Sequence, residues 1–167
     1  MVKTKKYFPK RYIPKSLKKS DKLKQKKELQ KSKRDYKKGK YYTRKKISSF
    51  KSKPSSHVVK AKKIYKVDKI YPGKLLADKT LCSVSSLKKI VNKGEGAYYS
   101  SGSRPNQTAQ SWGLARLASA ITGGKSAAVD FKILEEGCKT NSKALRLAKN
   151  AKNKYGFGQN KTPKIKI

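Results

Sequence analysis

Asn106-Gln107-Thr108-Ala109-Gln110-Ser111-Trp112-Gly113-Leu114-Ala115-Arg116-Leu117-Ala118-Ser119-Ala120-Ile121-Thr122-Gly123-Gly124 is the stretch that decides the fold class. Asn106 or Thr108 opens it as a helix cap, and Gly123-Gly124 closes it. Ala109, Trp112, Leu117, Ala118 and Ile121 recur at helical spacing and form its apolar side. Trp112, the single tryptophan, reads as a core anchor with Leu117 and Ile121 beside it. Three weaker patterns surround this helix. Ser85 to Gly94 reads as a serine-capped helix with Leu87, Ile90 and Val91 on one stripe and Gly94 as its stop. Asp130 to Glu136 carries Phe131, Ile133 and Leu134, with Gly137 closing. Asn141 or Ser142 caps a last helix through Tyr155, bearing Leu145, Leu147, Ala148 and Ala151. Tyr71-Pro72-Gly73 marks a turn, and Gly96 to Pro105 reads as a Gly/Ser-rich connection. Strand signals are weak. The expected fold is mainly α, a small domain of about four short helices.

Charge divides the 167 residues around that domain. Residues 1–66 hold 27 basic and 3 acidic residues, residues 67–142 hold 11 and 6, and residues 143–167 hold 8 and none. The expected organisation is a Lys-rich N-terminal arm over 1–66, a helical domain over 67–142 and a basic helix and tail over 143–167. Within the arm, Tyr7-Phe8-Pro9-Lys10-Arg11-Tyr12-Ile13-Pro14-Lys15 favours an extended path. Ser16 to Lys38 is rich in helix formers, with Ser20 or Asp21 to cap it and Gly39 to end it. Its apolar residues, Leu17, Leu23, Leu29 and Tyr36, make no broad stripe, so the helix is expected to be polar nearly all round. A loop over Ser48–Ser56 leads to a short helix from His57 to Tyr65 with Val58, Ala61 and Tyr65 on one side.

Composition removes several function classes. No apolar run approaches the ~20 residues of a membrane span, and no apolar segment follows the charged first residues as in a secretory signal. Hydrophobic residues make up 35% of the chain, against ~45–50% in an ordinary globular protein. One histidine, His57, and carboxylates scattered along the chain offer no metal ligands and no catalytic set. No enzyme, cofactor or metal is expected. Gly124-Lys125-Ser126 resembles the end of a phosphate-binding loop, but that motif needs glycine where Ser119 stands and a preceding strand. Cys82 and Cys138 flank the central domain; they are able to pair, but two buried thiols in a reducing compartment are favoured.

The formal charge of +37, carried by 40 Lys and 6 Arg, points to polyanions met without sequence preference. Lysine is a hydrated point charge, whereas arginine makes planar bidentate contacts. The candidate polyanion-binding residues are Lys22, Lys24, Lys26, Lys27, Lys37, Lys38, Lys40, Arg44, Lys45, Lys46, Lys62 and Lys63. Arg104 and Arg116 lie in the low-charge centre. They read either as solvated side chains or as specific contacts to Asp130 or to a partner's carboxylate or phosphate. Aromatics interleaved with cations in the arm stack on bases or fill protein pockets.

Two longer stretches carry a family likeness. One runs from Arg11-Tyr12-Ile13-Pro14-Lys15-Ser16-Leu17 through Lys37-Lys38-Gly39-Lys40-Tyr41-Tyr42-Thr43-Arg44-Lys45-Lys46 to Ser48-Ser49-Phe50-Lys51-Ser52-Lys53. The other runs from Gly94-Glu95-Gly96-Ala97-Tyr98-Tyr99-Ser100-Ser101-Gly102-Ser103-Arg104-Pro105-Asn106-Gln107-Thr108 through Ser111-Trp112 and Ala115-Arg116-Leu117-Ala118-Ser119 to Gly123-Gly124-Lys125. Together they resemble an uncharacterised family of small basic proteins encoded by large double-stranded DNA viruses of algae and protists, with relatives in marine tailed phages. The resemblance implies a viral context and no particular activity. Two functions are expected on that footing. In the first, the chain is a minor capsid or cement protein of the virion, its arm lining the inner shell against acidic capsid surfaces or genome. In the second, it binds and condenses DNA without sequence preference. Either places it in the virion, and in the host cytoplasm or nucleus during assembly.

Overall fold

In the computed structural model, residues 7–157 and 163–166 are described. A short strand β1 (Tyr7–Pro9) leads through a 3-10 turn to helix α1 (Lys19–Lys37). Helices α2 (Ser56–Tyr65), α3 (Lys74–Thr80), α4 (Val84–Ser100) and α5 (Ala109–Ile121) follow. After them come α6 (Lys125–Val129), α7 (Phe131–Gly137), α8 (Lys143–Tyr155) and strand β2 (Lys164–Lys166). The fold is mainly α. Eight helices among the described residues make the expected four an undercount. The helices α1 and α2 fall in the expected arm, while α3 and α6 are seven and five residues long, too short for a periodic signal to emerge.

The chain forms two compact units. One comprises Met1–Lys53, Gly96–Ala109 and Lys161–Ile167; the other comprises Pro54–Glu95 and Gln110–Asn160. The division therefore differs from the expected 1–66, 67–142 and 143–167. The Lys-rich region from Tyr7 to Lys53 is folded into a unit with residues from the middle and end of the chain, not laid out as an arm.

The second unit is built on an aliphatic cluster. Leu87, Ile90, Leu117, Ile121 and Leu134 are fully buried, with Ala118, Ala120, Ala127, Ala128, Ala144 and Ala148 packed among them. Small residues let these helices approach closely. The tightest approach is at Gly94 and Gly113, where a Cβ on Gly94 would stand 2.6 Å from the Gly113 Cα. Gly94 is therefore not the expected helix stop. Helix α4 runs through it to Ser100, and the missing side chain serves packing against α5, not termination. Trp112 also departs from expectation. It is only partly buried and lies outside the aliphatic cluster, because at 3.6 residues per turn it stands roughly 120–180° around the helix from Leu117, Ala118 and Ile121.

Cys82 and Cys138 are joined in a disulfide, which corrects the expectation of two thiols. The sequence hides the reason. The two residues face each other across a short antiparallel bridge, in which Ser83 N–H donates to the Gly137 carbonyl and Lys139 N–H to that of Leu81, both at 2.8 Å. Ser142 caps α8, accepting from Leu145 N–H at 3.2 Å, and its own hydroxyl donates to the Thr80 carbonyl at 2.6 Å. Asp130 is fully buried and receives Arg116 in a bidentate pair, Nε and Nη2 each at 2.8 Å, plus Lys93 Nζ at 2.9 Å. Among the described residues no helix is long and apolar enough to cross a membrane.

Candidate nucleic-acid interface

The first unit holds 27 of the 46 basic residues and 3 of the 9 acidic ones, a net +24 against +13 for the second. Its centre is α1. The buried positions of this helix are Gln25, Leu29 and Ser32, a narrow stripe at i, i+4, i+7 that is two-thirds polar. Gln25 Nε2 donates to the Tyr12 carbonyl at 3.0 Å. Leu23 and Tyr36, two of the apolar residues in this segment, are exposed.

The three acidic residues of the region are Asp21, Glu28 and Asp35, seven apart, and so share one helix face. The first two hold the chain that returns alongside. Asp21 accepts from Ser49 N–H at 3.0 Å and Glu28 from Lys45 N–H at 2.8 Å and the Tyr42 hydroxyl at 2.9 Å. Asp35 instead receives Lys31 Nζ from its own helix at 3.1 Å. The Ser49 hydrogen bonds hold the Asp21 carboxyl below its ordinary value. Burial, and then the bond to Glu28, push the Tyr42 phenol up to about 12. Asp21 is thus a clamp, not a helix cap. Asn106 plays the same part from the other side. Its side chain accepts from Ile47 N–H at 2.7 Å and donates to the carbonyls of Ile47 and Phe50. Its φ of 61° suits asparagine, which enters the left-handed region more readily than most residues. Asn106 therefore does not open α5.

Arg44 stands apart from the other predicted cations. It is buried, and its guanidinium donates to Ser32 Oγ at 2.8 Å, the Tyr98 carbonyl at 2.7 Å and Ser103 Oγ at 2.7 Å. It lies 3.8 Å from the centre of the Tyr98 ring, and its backbone N–H donates to the Tyr98 hydroxyl. Burial pushes this guanidinium below the ordinary arginine range. Arg44 is a structural cation satisfied by neutral oxygens and a π face, and the expectation that it meets a polyanion is corrected. Arginine fits because its planar fork serves several acceptors at once.

The remaining predicted cations divide by exposure. Lys24, Lys27, Lys37, Lys38, Lys40, Lys45 and Lys46 are exposed in the first unit, Lys62 and Lys63 in the second, while Lys22 and Lys26 are partly buried. Lys24, Lys27, Lys31 and Arg34 succeed one another at spacings of three and four and are all exposed. They form one basic stripe along about 15 Å of α1. Lys31 and Arg34 are additions to the predicted set, and the helical spacing was the signal for them. Arg104 is exposed, whereas Arg116 is committed to Asp130. Among the described residues no group of three or more His, Cys, Asp or Glu is placed to hold a metal ion.

A family model described as a family of unknown function, DUF5824, matches residues 9–154. The chain belongs to this family. The DUF5824 match covers nearly all of the second unit and, in the first, all of Gly96–Ala109 and residues 9–53, so the clamps on α1, the buried Arg44 and the aliphatic cluster all lie inside it. Comparison with curated proteins and with solved structures finds no match.

Proposed function

We propose that this chain is a non-enzymatic protein that binds nucleic acid without sequence preference, through the lysine surface of its first unit. The observation that carries the reading is the exposed stripe Lys24, Lys27, Lys31 and Arg34, held on a helix whose acidic residues are turned to clamping or to a local pair. Such a stripe neutralises phosphates and releases counterions, and lysine supplies charge without reading bases. The surface contacts of Lys31 with Asp35 and of Lys24 with the Lys46 carbonyl are worth no more than ~1 kcal/mol and yield to a phosphate.

A minor capsid role in a virion draws on an extended strap reaching along a shell. Folding of Tyr7–Lys53 into a unit weakens that support, and DNA or RNA is the better-suited polyanion for a compact basic surface. The test is a salt series on a mixed-sequence duplex. Replacing Lys24, Lys27, Lys31 and Arg34 by Ala flattens the log–log slope by ~0.9 for each phosphate that is no longer neutralised. Alanine keeps the helix, which circular dichroism verifies. An unchanged slope in a folded variant rejects the stripe as the binding surface.

A further inference from the structure

The basic surface carries a built aromatic row. Helix α1 ends at Lys37, and Gly39, at φ 74°, turns the chain back. The turn is closed by Gly39 N–H on the Tyr36 carbonyl and Lys40 N–H on that of Asp35. It sets the Tyr41 ring 6.2 Å from Tyr36 and 5.2 Å from Tyr99. Tyr99 in turn stands nearly perpendicular to Tyr98 at 5.1 Å, and Tyr98 lies against buried Arg44 at 3.8 Å. The row thus runs from solvent to interior. Tyr41 is 71% exposed and Tyr36 38%, whereas Tyr98 is fully buried.

These rings stay exposed while touching one another in series. Lys37, Lys38 and Lys40, all exposed, lie between and beside Tyr36 and Tyr41 in the chain. Exposed rings next to cations match the two needs of an unpaired strand: a π surface for its bases and charge for its phosphates. A duplex offers the second but keeps its bases stacked inside.

We propose that Tyr41 and Tyr36, braced by Tyr99 and Tyr98, form a base-stacking platform that gives this protein a preference for single-stranded nucleic acid. This rests on the nucleic-acid reading above and adds the form of the strand. The lysines at the turn hold the sugar–phosphate chain, and one or two bases lie on the tyrosines. Because every base has a π face, the platform is indifferent to sequence.

The test uses the full chain with an oligo-dT of about 15 nucleotides, the upper range for one binding module, and a duplex of equal length. Tyr41→Ala removes a mostly exposed ring, so the fold is retained. Its expected effect is a roughly 5- to 150-fold loss of oligo-dT affinity, the worth of stacking one base, with duplex affinity within about twofold and the salt slope unaltered. Tyr41→Phe keeps the π face and is expected to bind like the parent. The proposal is overturned if Tyr41→Ala binds oligo-dT as the parent does, if it loses duplex and single strand equally, or if Tyr41→Phe is as weak as Tyr41→Ala. A parent chain that binds neither strand in a salt-dependent way overturns the nucleic-acid reading itself, and the platform with it.

Discussion

The two compact units bury different chemistry. In the unit of Pro54–Glu95 and Gln110–Asn160, leucines, isoleucines and alanines fill the interior. Its fully buried carboxylate Asp130 is met by two cations. In the unit built around α1 the interior holds Gln25, Ser32, Arg44 and Ser103 beside Phe8, Leu29, Ile47 and Tyr98. The first arrangement draws on apolar area, worth ~25 cal/mol per Å². The second depends on every buried donor finding an acceptor, because an orphaned polar group costs ~1–3 kcal/mol. Among the described residues, the interior with the larger polar share, four polar to seven apolar side chains against six to 21, lies where the charge is densest.

The largest expected effect tests the aliphatic side. Leu117→Ala removes a fully buried side chain and is expected to cost ~2–5 kcal/mol, seen as weaker hydrogen-exchange protection in α8 more than in α1. Equal weakening in both helices would show that the two interiors stand or fall together. Asp130→Ala tests the ion pair in the same unit. Arg116 is 20% exposed and Lys93 49%, so both can reach water once the carboxylate is gone. The expected cost is therefore ~3 kcal/mol, at the low end for breaking a buried pair, measured by urea unfolding. A loss below ~0.5 kcal/mol would make the pair dispensable.

Arg44→Lys keeps the charge but not the fork. It leaves some of Ser32, the Tyr98 carbonyl and Ser103 unserved, for an expected ~1–3 kcal/mol and faster exchange in α1. A neutral outcome would mean that charge alone, not the planar geometry, holds this interior. The smallest effect is pH-dependent. The Tyr42 phenol is raised in the folded state to about 12 from an ordinary 10.0. Its contribution is thus whole below pH ~10 and is lost as pH climbs to ~12. The parent is expected to exceed Tyr42→Phe in stability by ~1 kcal/mol at neutral pH, and that margin is expected to close over this window. A constant margin would detach the Glu28 hydrogen bond from the stability of the α1 unit.

Legibility followed the same divide. The helices with apolar stripes, α5, α7 and α8, begin and end within a few residues of the expected Asn106 or Thr108 to Ile121, Asp130 to Glu136, and Asn141 or Ser142 to Tyr155. The pairing of Arg116 with Asp130 was one of several open readings, and geometry chose it. Helix α1 was visible as a helix, but its buried face was not, since Gln25 and Ser32 carry no hydrophobic signal. The seven-residue spacing of Asp21, Glu28 and Asp35 was the available clue. It has meaning only beside the returning segment Tyr42–Ser49, whose backbone N–H groups two of these carboxylates accept. Gly94 looked like a stop because glycine often ends helices. Here a second glycine, Gly113 on α5, meets it, and no local pattern links the two.

What the amino-acid sequence determined by itself was the helical class, the place of the aliphatic helices and the excess of lysine, because periodicity and charge are properties of neighbouring residues. Tertiary structure alone decided that the lysine-rich region folds into a unit with Gly96–Ala109. It also withdrew Arg44 from the surface, joined Cys82 to Cys138 across 56 residues and set Tyr41 beside Tyr99. Each of these depends on partners far apart in the chain. Their pairing depends on hydrogen-bond and ring geometry, which composition and spacing do not carry.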